Sequence, residues 1–367
     1  MTPSPPSAHT VGRDFSPGTS LATSLTASQA SEKLNDAWGS VSGHDFSRAA
    51  MPTKREWALA PAIRWAVITP LVLGLAALLL APVTLPAQDV TLRMDVKLVN
   101  LFVNVTDQNG AIVGGLTKDD FKVAEDGRPQ EISVFERQSE LPLNLTLAID
   151  TSGSTFKDRA IEQDASKRFA HALLRSQDQM SLIEFATYVR QLVAFTNKVG
   201  QIDRGLGSLR GGDATALYDA IYLAAQGLAN KDGRKVLVLV SDGGDTAKNT
   251  TYADALEQAL RGEVMIYSII DVPIQASAGR DIGGEHALIT LAEQTGGKSF
   301  YASDGGLDKA FARVSDDLRT QYLLGYYPRK QVPGLNFHRV QVTVPRATAD
   351  AFNIRYRTGY YSDSKQK

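Results

Sequence analysis

Three side chains with oxygen donors stand at alternate positions directly after a run of apolar residues, in Asp150-x-Ser152-x-Ser154. The preceding stretch, Leu143–Ile149, predicts a buried strand. Parallel sheets in α/β folds bind ligands in the crevice beyond the carboxyl ends of their strands. Oxygen donors without nitrogen or sulfur suit a hard divalent cation such as Mg²⁺ or Mn²⁺. The run therefore predicts both an α/β sheet and a metal site at its edge.

Two further pieces of the chain place oxygen-bearing side chains at the ends of predicted elements. In Gly211–Ile221 a glycine-led loop runs into a helix, with Thr215 at the junction. In Val236–Ser241 an apolar strand ends just before Asp242 and two glycines. With these three pieces the chain resembles the von Willebrand factor type A domain, whose metal-ion-dependent adhesion site uses Asp-x-Ser-x-Ser, a distant threonine and a distant aspartate. The resemblance implies five metal-site residues: Asp150, Ser152, Ser154, Thr215 and Asp242.

The resemblance also implies how such a site binds. Only Asp150 and Asp242 carry a charge, and the other three residues offer neutral hydroxyls. In the family the hydroxyls bind the metal directly in one state or another, and an aspartate often acts through water. Mg²⁺ or Mn²⁺, expected here rather than Ca²⁺, would keep exchangeable positions open. An Asp or Glu carboxylate of a partner protein would complete the shell, so the expected function is protein binding and not catalysis.

The flanking segments extend the resemblance. They are similar to bacterial, notably acidobacterial, proteins described as carrying a "VWFA-related domain", in the patterns at Gly115–Gly127, Gln321–Pro328 and Arg357–Tyr361. This likeness covers about residues 90 to 362. In the family, ligand binding can be coupled to a shift of the last helix of the α/β domain, which here would be Leu307–Arg319.

Apolar strands alternate with amphipathic helices in the middle of the chain, which predicts a mostly parallel sheet. The predicted fold class is α/β: a Rossmann-like, doubly wound sheet of the von Willebrand factor type A kind, flanked by β-strand segments that form a small β-sandwich. The strands are expected at Leu143–Asp150, Met180–Phe185, Val189–Phe195, Val236–Ser241, Val264–Asp271 and Ser299–Tyr301.

Each β flank alone is too short to form a sheet that buries a large apolar face. We therefore expect the α/β domain to be inserted between two halves of one sandwich. The predicted boundaries are residues 88–140 for the first flank, 141–319 for the α/β domain and 320–367 for the second flank.

The first 87 residues are expected to lie outside these domains. Residues 1–50 are rich in Ser, Thr, Ala and Pro, which is typical of disorder, or of a mis-assigned extension before a true start at Met51. Residues 51–87 have a basic start, an apolar middle and a small-residue finish, the pattern of a secretory signal peptide. The alternative is an uncleaved inner-membrane anchor through residues 65–87. Either reading predicts an exported protein, periplasmic, secreted or membrane-anchored.

Composition excludes several other functions. The formal net charge of −1 gives no excess of positive charge that would favour binding to nucleic acid. The absence of cysteine excludes thiolate metal sites, disulfides and cysteine catalysis. The five histidines are scattered along the chain, and none is predicted to be a metal ligand: His9, His44, His171, His286 and His338.

Two alternatives to partner binding stay open. One is an envelope scaffold or assembly factor in which the metal only organises loops. The other is a hydrolase, because Ala148–Gly153 is faintly similar to the loop of aspartic proteases. That chemistry needs a second such carboxylate, and the chain has no second copy of the motif. Three nearby acidic residues are expected to be solvated carboxylates rather than a second ion site: Asp213, Asp219 and Asp245.

Overall fold

The computed structural model describes residues 98–137, 140–153, 159–247, 249–272, 281–329, 336–345 and 352–362. The predicted N-terminal segments, residues 1–50 and 51–87, lie outside these ranges. Among the described residues, no helix combines the length and the apolar character that crossing a membrane requires.

The described elements follow the order predicted from the sequence: strands, then alternating strands and helices, then strands. The first four strands are β1 (Val99–Asp107), β2 (Lys122–Glu125), β3 (Arg128–Gln130) and β4 (Ile132–Glu136). The middle part comprises β5 (Leu143–Asp150), α1 (Arg159–Leu173), β6 (Gln179–Phe185), β7 (Val189–Thr196), α2 (Val199–Leu206), α3 (Leu217–Ala229), β8 (Arg234–Ser241), α4 (Tyr252–Gly262), β9 (Met265–Ile270), α5 (Ile282–Thr295), β10 (Ser299–Tyr301) and α6 (Leu307–Arg319). The last four strands are β11 (Tyr322–Tyr326), β12 (Phe337–Thr343), β13 (Phe352–Arg355) and β14 (Gly359–Tyr361).

The middle part forms a six-stranded sheet with the order β10-β9-β8-β5-β6-β7. Its strands are parallel except for β7, which pairs antiparallel with β6 at one edge. Strand β5 lies between β8 and β6, and all eight of its residues are buried. The predicted mostly parallel α/β sheet is thus confirmed, and the strand that ends in Asp150 is an inner one.

Helices cover both faces of this sheet, because the inner strands are apolar on both sides. One face packs against α1, α2 and α6, where the rings of Phe169 and Phe311 stack with centroids 4.5 Å apart. The other face packs against α3, α4 and α5 through residues such as Ile221, Ala259 and Leu288. Two apolar cores on opposite faces make this the doubly wound arrangement that was expected.

Two four-stranded antiparallel sheets form the flanking β-sandwich, with the strand orders β13-β1-β11-β4 and β14-β12-β2-β3. Each sheet combines strands that precede the α/β region with strands that follow it. Residues from both sheets, among them Leu101, Val123, Leu324 and Val342, contribute to one buried core. Since neither flank supplies a whole sheet, the sandwich closes only when both flanks pair.

Candidate metal site at the carboxyl edge of the central sheet

Asp150 ends the inner strand β5 and is fully buried there. Its side chain is held from two directions. The backbone N–H of Ser152 donates to Oδ1 at 2.9 Å, and the hydroxyl of Ser241, at the end of the neighbouring strand β8, donates to Oδ2 at 2.7 Å. The carboxylate is therefore fixed between the carboxyl ends of two parallel strands.

The buried position of Asp150 changes the pKa of its carboxyl group. The pKa of Asp150 is raised to about 6, mainly by burial and to a smaller extent by the nearby carboxylate of Asp242, while the hydrogen bonds from Ser241 and Ser152 oppose the rise. A buried carboxylate is costly in its charged form unless a positive partner compensates it. The site is thus electrostatically suited to a cation.

Asp242 follows β8 directly and is partly buried at the same edge. The next residue, Gly243, has a φ of +100°, and a Cβ built on it would lie 2.7 Å from the carbonyl carbon of Gly284 at the start of α5. Only glycine combines this backbone conformation with such a close approach. The Asp-Gly-Gly sequence therefore lets the chain turn sharply against α5 immediately after Asp242.

Thr215 is buried at the junction of its loop with α3 and is tied to the loop that follows β8. Its carbonyl oxygen accepts hydrogen bonds from the backbone N–H groups of Thr246 and Ala247, at 2.9 and 3.1 Å. The Thr246 hydroxyl in turn accepts from the Thr215 N–H at 2.8 Å. These bonds fix the position of Thr215 relative to the Asp242 loop.

The loop that contains Thr215 also contacts the segment that follows β5. The N–H of Gly212 donates to the carbonyl oxygen of Thr151 at 3.2 Å. A Cβ on Gly212 would approach that of Ala186, just beyond β6, to 2.8 Å. Gly212 therefore allows the Thr215 loop to lie close to the segment after β6, and its N–H joins this loop to the Asp150 loop.

Four of the five predicted residues lie on these three loops at one edge of the sheet: Asp150, Ser152, Thr215 and Asp242. The fifth, Ser154, lies outside the described residues. Carboxylate and hydroxyl oxygens are the donors that Mg²⁺ and Mn²⁺ prefer, so this donor set fits a hard divalent cation.

The described residues add partners that were not predicted from the sequence. Ser241 donates to Asp150, and its place directly before Asp242 at the strand end was the available signal. Arg159, in the first turn of α1, donates through Nη2 to the carbonyl oxygen of Thr151 at 3.2 Å. A guanidinium group thus lies beside the loop that follows Asp150.

The acidic residues near the motif have local structural contacts. Asp219 accepts hydrogen bonds from Asn249, at 2.8 Å, and from the Thr250 hydroxyl. Asp245 accepts from the backbone N–H of Tyr218 at 3.2 Å. Asp213 is exposed. These hydrogen bonds account for the orientation of the Asp219 and Asp245 side chains without a second bound ion.

Comparison with known proteins gives one family match. Residues 145–244 match the family model described as von Willebrand factor type A domain. Similar solved structures include an aerotolerance-related membrane protein from Bacteroides fragilis (18% identity, TM-score 0.39), BatB from Bacteroides thetaiotaomicron (16%, 0.40) and the vWF domain of the type V pili tip protein Mfa5 from Porphyromonas gingivalis (13%, 0.39). Each match covers 48% of this chain, and 98%, 97% and 94% of these proteins respectively. A search of curated proteins found no match.

Proposed function

We propose that the region that matches the von Willebrand factor type A domain model, residues 145–244, makes the chain an exported, metal-dependent protein-binding module. In this proposal Mg²⁺ or Mn²⁺ is held at the carboxyl edge of the sheet, and a carboxylate of a partner protein completes its coordination. The proposed metal-site residues are those of the sequence motif: Asp150, Ser152, Ser154, Thr215 and Asp242.

The observation that carries the proposal is the convergence of three loops on buried Asp150. The loop of Thr215 is hydrogen bonded both to Thr151 and to the segment after Asp242. The two aspartates lie close enough for Asp242 to raise the pKa of Asp150. Two carboxylates and several neutral hydroxyls would leave some coordination positions of Mg²⁺ or Mn²⁺ open, and a carboxylate of a partner is a suitable oxygen ligand for them.

Charge at the edge supports an acidic partner as well. Arg159 lies beside the Asp150 loop, where its Nη2 donates to the carbonyl oxygen of Thr151 at 3.2 Å. A guanidinium group binds carboxylates well because its N–H groups match their geometry. We infer that it assists the attraction of the partner's Asp or Glu.

Exposed apolar side chains surround the same edge. Tyr188 lies in the turn between β6 and β7 and is 79% exposed, Ile282 begins α5 and is 74% exposed, and Ile161 lies in the first turn of α1 and is 60% exposed. Each belongs to a segment that contacts one of the three loops. Large apolar side chains around a polar centre are typical of protein-binding surfaces. The partner in this proposal therefore presents a carboxylate within an apolar surface.

Export rests on the sequence of residues 51–87, with its basic start, apolar run and small-residue finish. The binding edge would accordingly face the periplasm or the exterior. The partner would be an envelope or extracellular protein.

Calorimetry with Mg²⁺ and Mn²⁺ on the full chain tests the metal site. Asp242→Ala should abolish binding and leave the fold intact, because the side chain is partly exposed at a loop. Asp213→Ala, which removes an exposed carboxylate from the neighbouring loop, is the matched control and should bind normally. Unaltered metal affinity in Asp242→Ala would refute the assignment.

Partner binding is tested by metal-dependent capture from envelope extract, with Asp150→Ala as the negative control. The protein recovered with Mg²⁺ should be lost with EDTA and with the variant. In the scaffold alternative, EDTA would lower the melting temperature and leave capture unchanged. That result would favour a structural role for the metal.

A further inference from the structure

A second group of possible metal ligands lies in the β-sandwich, away from the edge described above. Glu125 ends β2, Asp126 begins the turn into β3, and His338 lies on the neighbouring strand β12. His338 and Glu125 are buried. The pairing of Val340 with Glu125 brings the two strands together, although His338 and Asp126 are 212 positions apart in the sequence.

One atom from each residue points toward a common centre. His338 Nδ1 lies 2.8 Å from Asp126 Oδ2 and 3.7 Å from Glu125 Oε1. One ligand atom from each of the three residues lies within 4.8 Å of the other two. The three atoms are therefore close enough to bind one ion in place of the hydrogen bond between His338 and Asp126.

The second polar atom of each side chain forms a hydrogen bond with a residue outside this group of three. Glu125 Oε2 accepts the hydroxyls of Tyr326 and Tyr360, at 2.8 and 2.9 Å. Asp126 Oδ1 accepts the backbone N–H of Arg339 at 2.9 Å. His338 Nε2 lies 3.2 Å from the Ser362 hydroxyl. Metal-binding histidines and carboxylates are oriented by outer partners of this kind.

The charges of the three side chains favour a bound cation. Within the part of the chain that the structure describes, His338 is the only basic side chain at ion-pair distance from either carboxylate. The guanidinium of Arg357 lies over the ring of Tyr360, 5.6 Å from its centroid, and donates to the carbonyl of Asn100. Two carboxylates beside one imidazole bring negative charge into the sandwich, and burying an unbalanced charge is costly. A divalent ion with a neutral imidazole balances both carboxylates.

We propose that Glu125, Asp126 and His338 bind a divalent transition-metal ion, separate from the ion of the von Willebrand factor type A domain. One imidazole nitrogen with two carboxylate oxygens is a donor set that Zn²⁺ accepts and that Mn²⁺ shares. Glu125 and Asp126 precede the α/β domain and His338 follows it. The ion therefore joins the two halves of the sandwich.

Zinc titration of the full chain carrying Asp150→Ala and Asp242→Ala tests this proposal, since these changes remove the other metal site from the measurement. One Zn²⁺ per chain should bind. His338→Gln should lower the affinity at least tenfold. His286→Gln, which changes an exposed histidine on α5, should leave the affinity unaltered. No binding, or binding that His338→Gln leaves unchanged, would overturn the proposal.

A second measurement keeps the test decisive if His338→Gln fails to fold. Nitrogen NMR of the histidine rings in the unsubstituted chain should show a Zn²⁺-dependent shift of the His338 Nδ1 signal. His171, which is exposed and contacts Asp203, is the internal control. A His338 ring whose signals do not respond to Zn²⁺ would overturn the proposal.

Discussion

Arg355 of sandwich strand β13 donates through Nη2 to both carboxylate oxygens of Asp317 on helix α6, at 2.8 and 2.7 Å. Asp317 also accepts the hydroxyl of Tyr267 on β9, at 3.2 Å, and its backbone carbonyl accepts from Asn104 on β1 at 2.9 Å. Burial and the neighbouring Asp317 carboxylate both raise the pKa of Tyr267 well above its usual value. A single aspartate thus joins the last helix of the α/β domain to both the central sheet and the sandwich.

Removing Arg355 should destabilise the protein substantially. The Arg355→Met variant keeps the apolar stem of the side chain but leaves Asp317 buried without its cation. Breaking a buried ion pair from one side typically costs several kcal/mol, and we expect a loss of about 3 kcal/mol in the free energy of unfolding. Urea denaturation measures the loss.

The matched control is the pair between Arg168 and Asp308, which joins α1 to α6 with similar geometry at the surface. Exposed ion pairs contribute little, so Arg168→Met should leave the unfolding midpoint nearly unchanged. Equal effects of the two substitutions would show that burial of the Arg355 pair does not matter.

The same contacts predict how helix α6 responds to ligands. The helix shift that the family resemblance implies would move Asp317, and therefore Arg355 and β13. Hydrogen exchange should change in α6 and β13 together when Mg²⁺ and a partner are added. In Arg355→Met the change in β13 should disappear while that in α6 persists. If exchange in α6 of the unsubstituted chain does not respond, the coupling has no support.

Metal binding at the sheet edge should weaken in acid. Burial raises the pKa of Asp150 to about 6, from 3.8 in the absence of the fold. A cation needs the ionised carboxylate and competes with the proton. The affinity for Mg²⁺ should therefore be nearly constant above pH 7 and fall about tenfold per pH unit well below pH 6, as measured by calorimetry.

The stability of the metal-free protein should follow the opposite trend. Because the folded-state pKa of Asp150 is raised above its unfolded value, the contribution of this group is fully present below about pH 4 and is lost as the pH rises through 6. The shift corresponds to about 3 kcal/mol. Asp150→Asn, which cannot ionise, should remove this pH dependence, and a variant that retained it would place its origin elsewhere.

Much of the fold could be predicted from the sequence because the inner strands are uninterrupted apolar runs. The observed bounds of β5, β10 and α6 coincide with the predicted ones. Strand β8 begins two residues earlier than predicted, at Arg234, whose buried guanidinium donates to the carbonyls of Leu141 and Leu318. An apolar pattern cannot reveal a strand residue that is buried through hydrogen bonds.

Side-chain environments were less predictable than elements. In helix α1 the apolar side chain of Ile161 is largely exposed at the sheet edge, whereas that of Phe169 is buried. The candidate metal residues could be found because they lie at or shortly after the end of a strand, or shortly before a helix. The group formed by Glu125 and His338 could not, because only the pairing of distant strands brings these residues together.

Gly243 should tolerate substitution poorly. Its φ of +100° is unfavourable for any residue with a Cβ, and Gly284 occupies the space that a methyl group would need. Gly243→Ala should lower the free energy of unfolding by about 2 kcal/mol or more, and it should weaken Mg²⁺ binding because the Asp242 loop must move. Gly244→Ala is the control, since the nearest atom to its Cβ would be 3.7 Å away, in the Asp281 side chain. Thermal unfolding of both variants is the measurement, and Gly243→Ala should unfold at a lower temperature than Gly244→Ala.

The exposed apolar residues at the sheet edge should contribute to partner affinity without affecting the metal. Tyr188 and Ile282 pack against little in the isolated chain, so Tyr188→Ser and Ile282→Ser should leave stability and Mg²⁺ affinity unchanged. Each should weaken binding of the purified, metal-dependent partner about tenfold or more, as expected when a large apolar anchor is lost from an interface. Tyr327→Ser is the control, because Tyr327 is 51% exposed but follows strand β11 of the sandwich. Equal losses for Tyr188→Ser and Tyr327→Ser in surface plasmon resonance would mean that the partner does not bind at the edge of the central sheet.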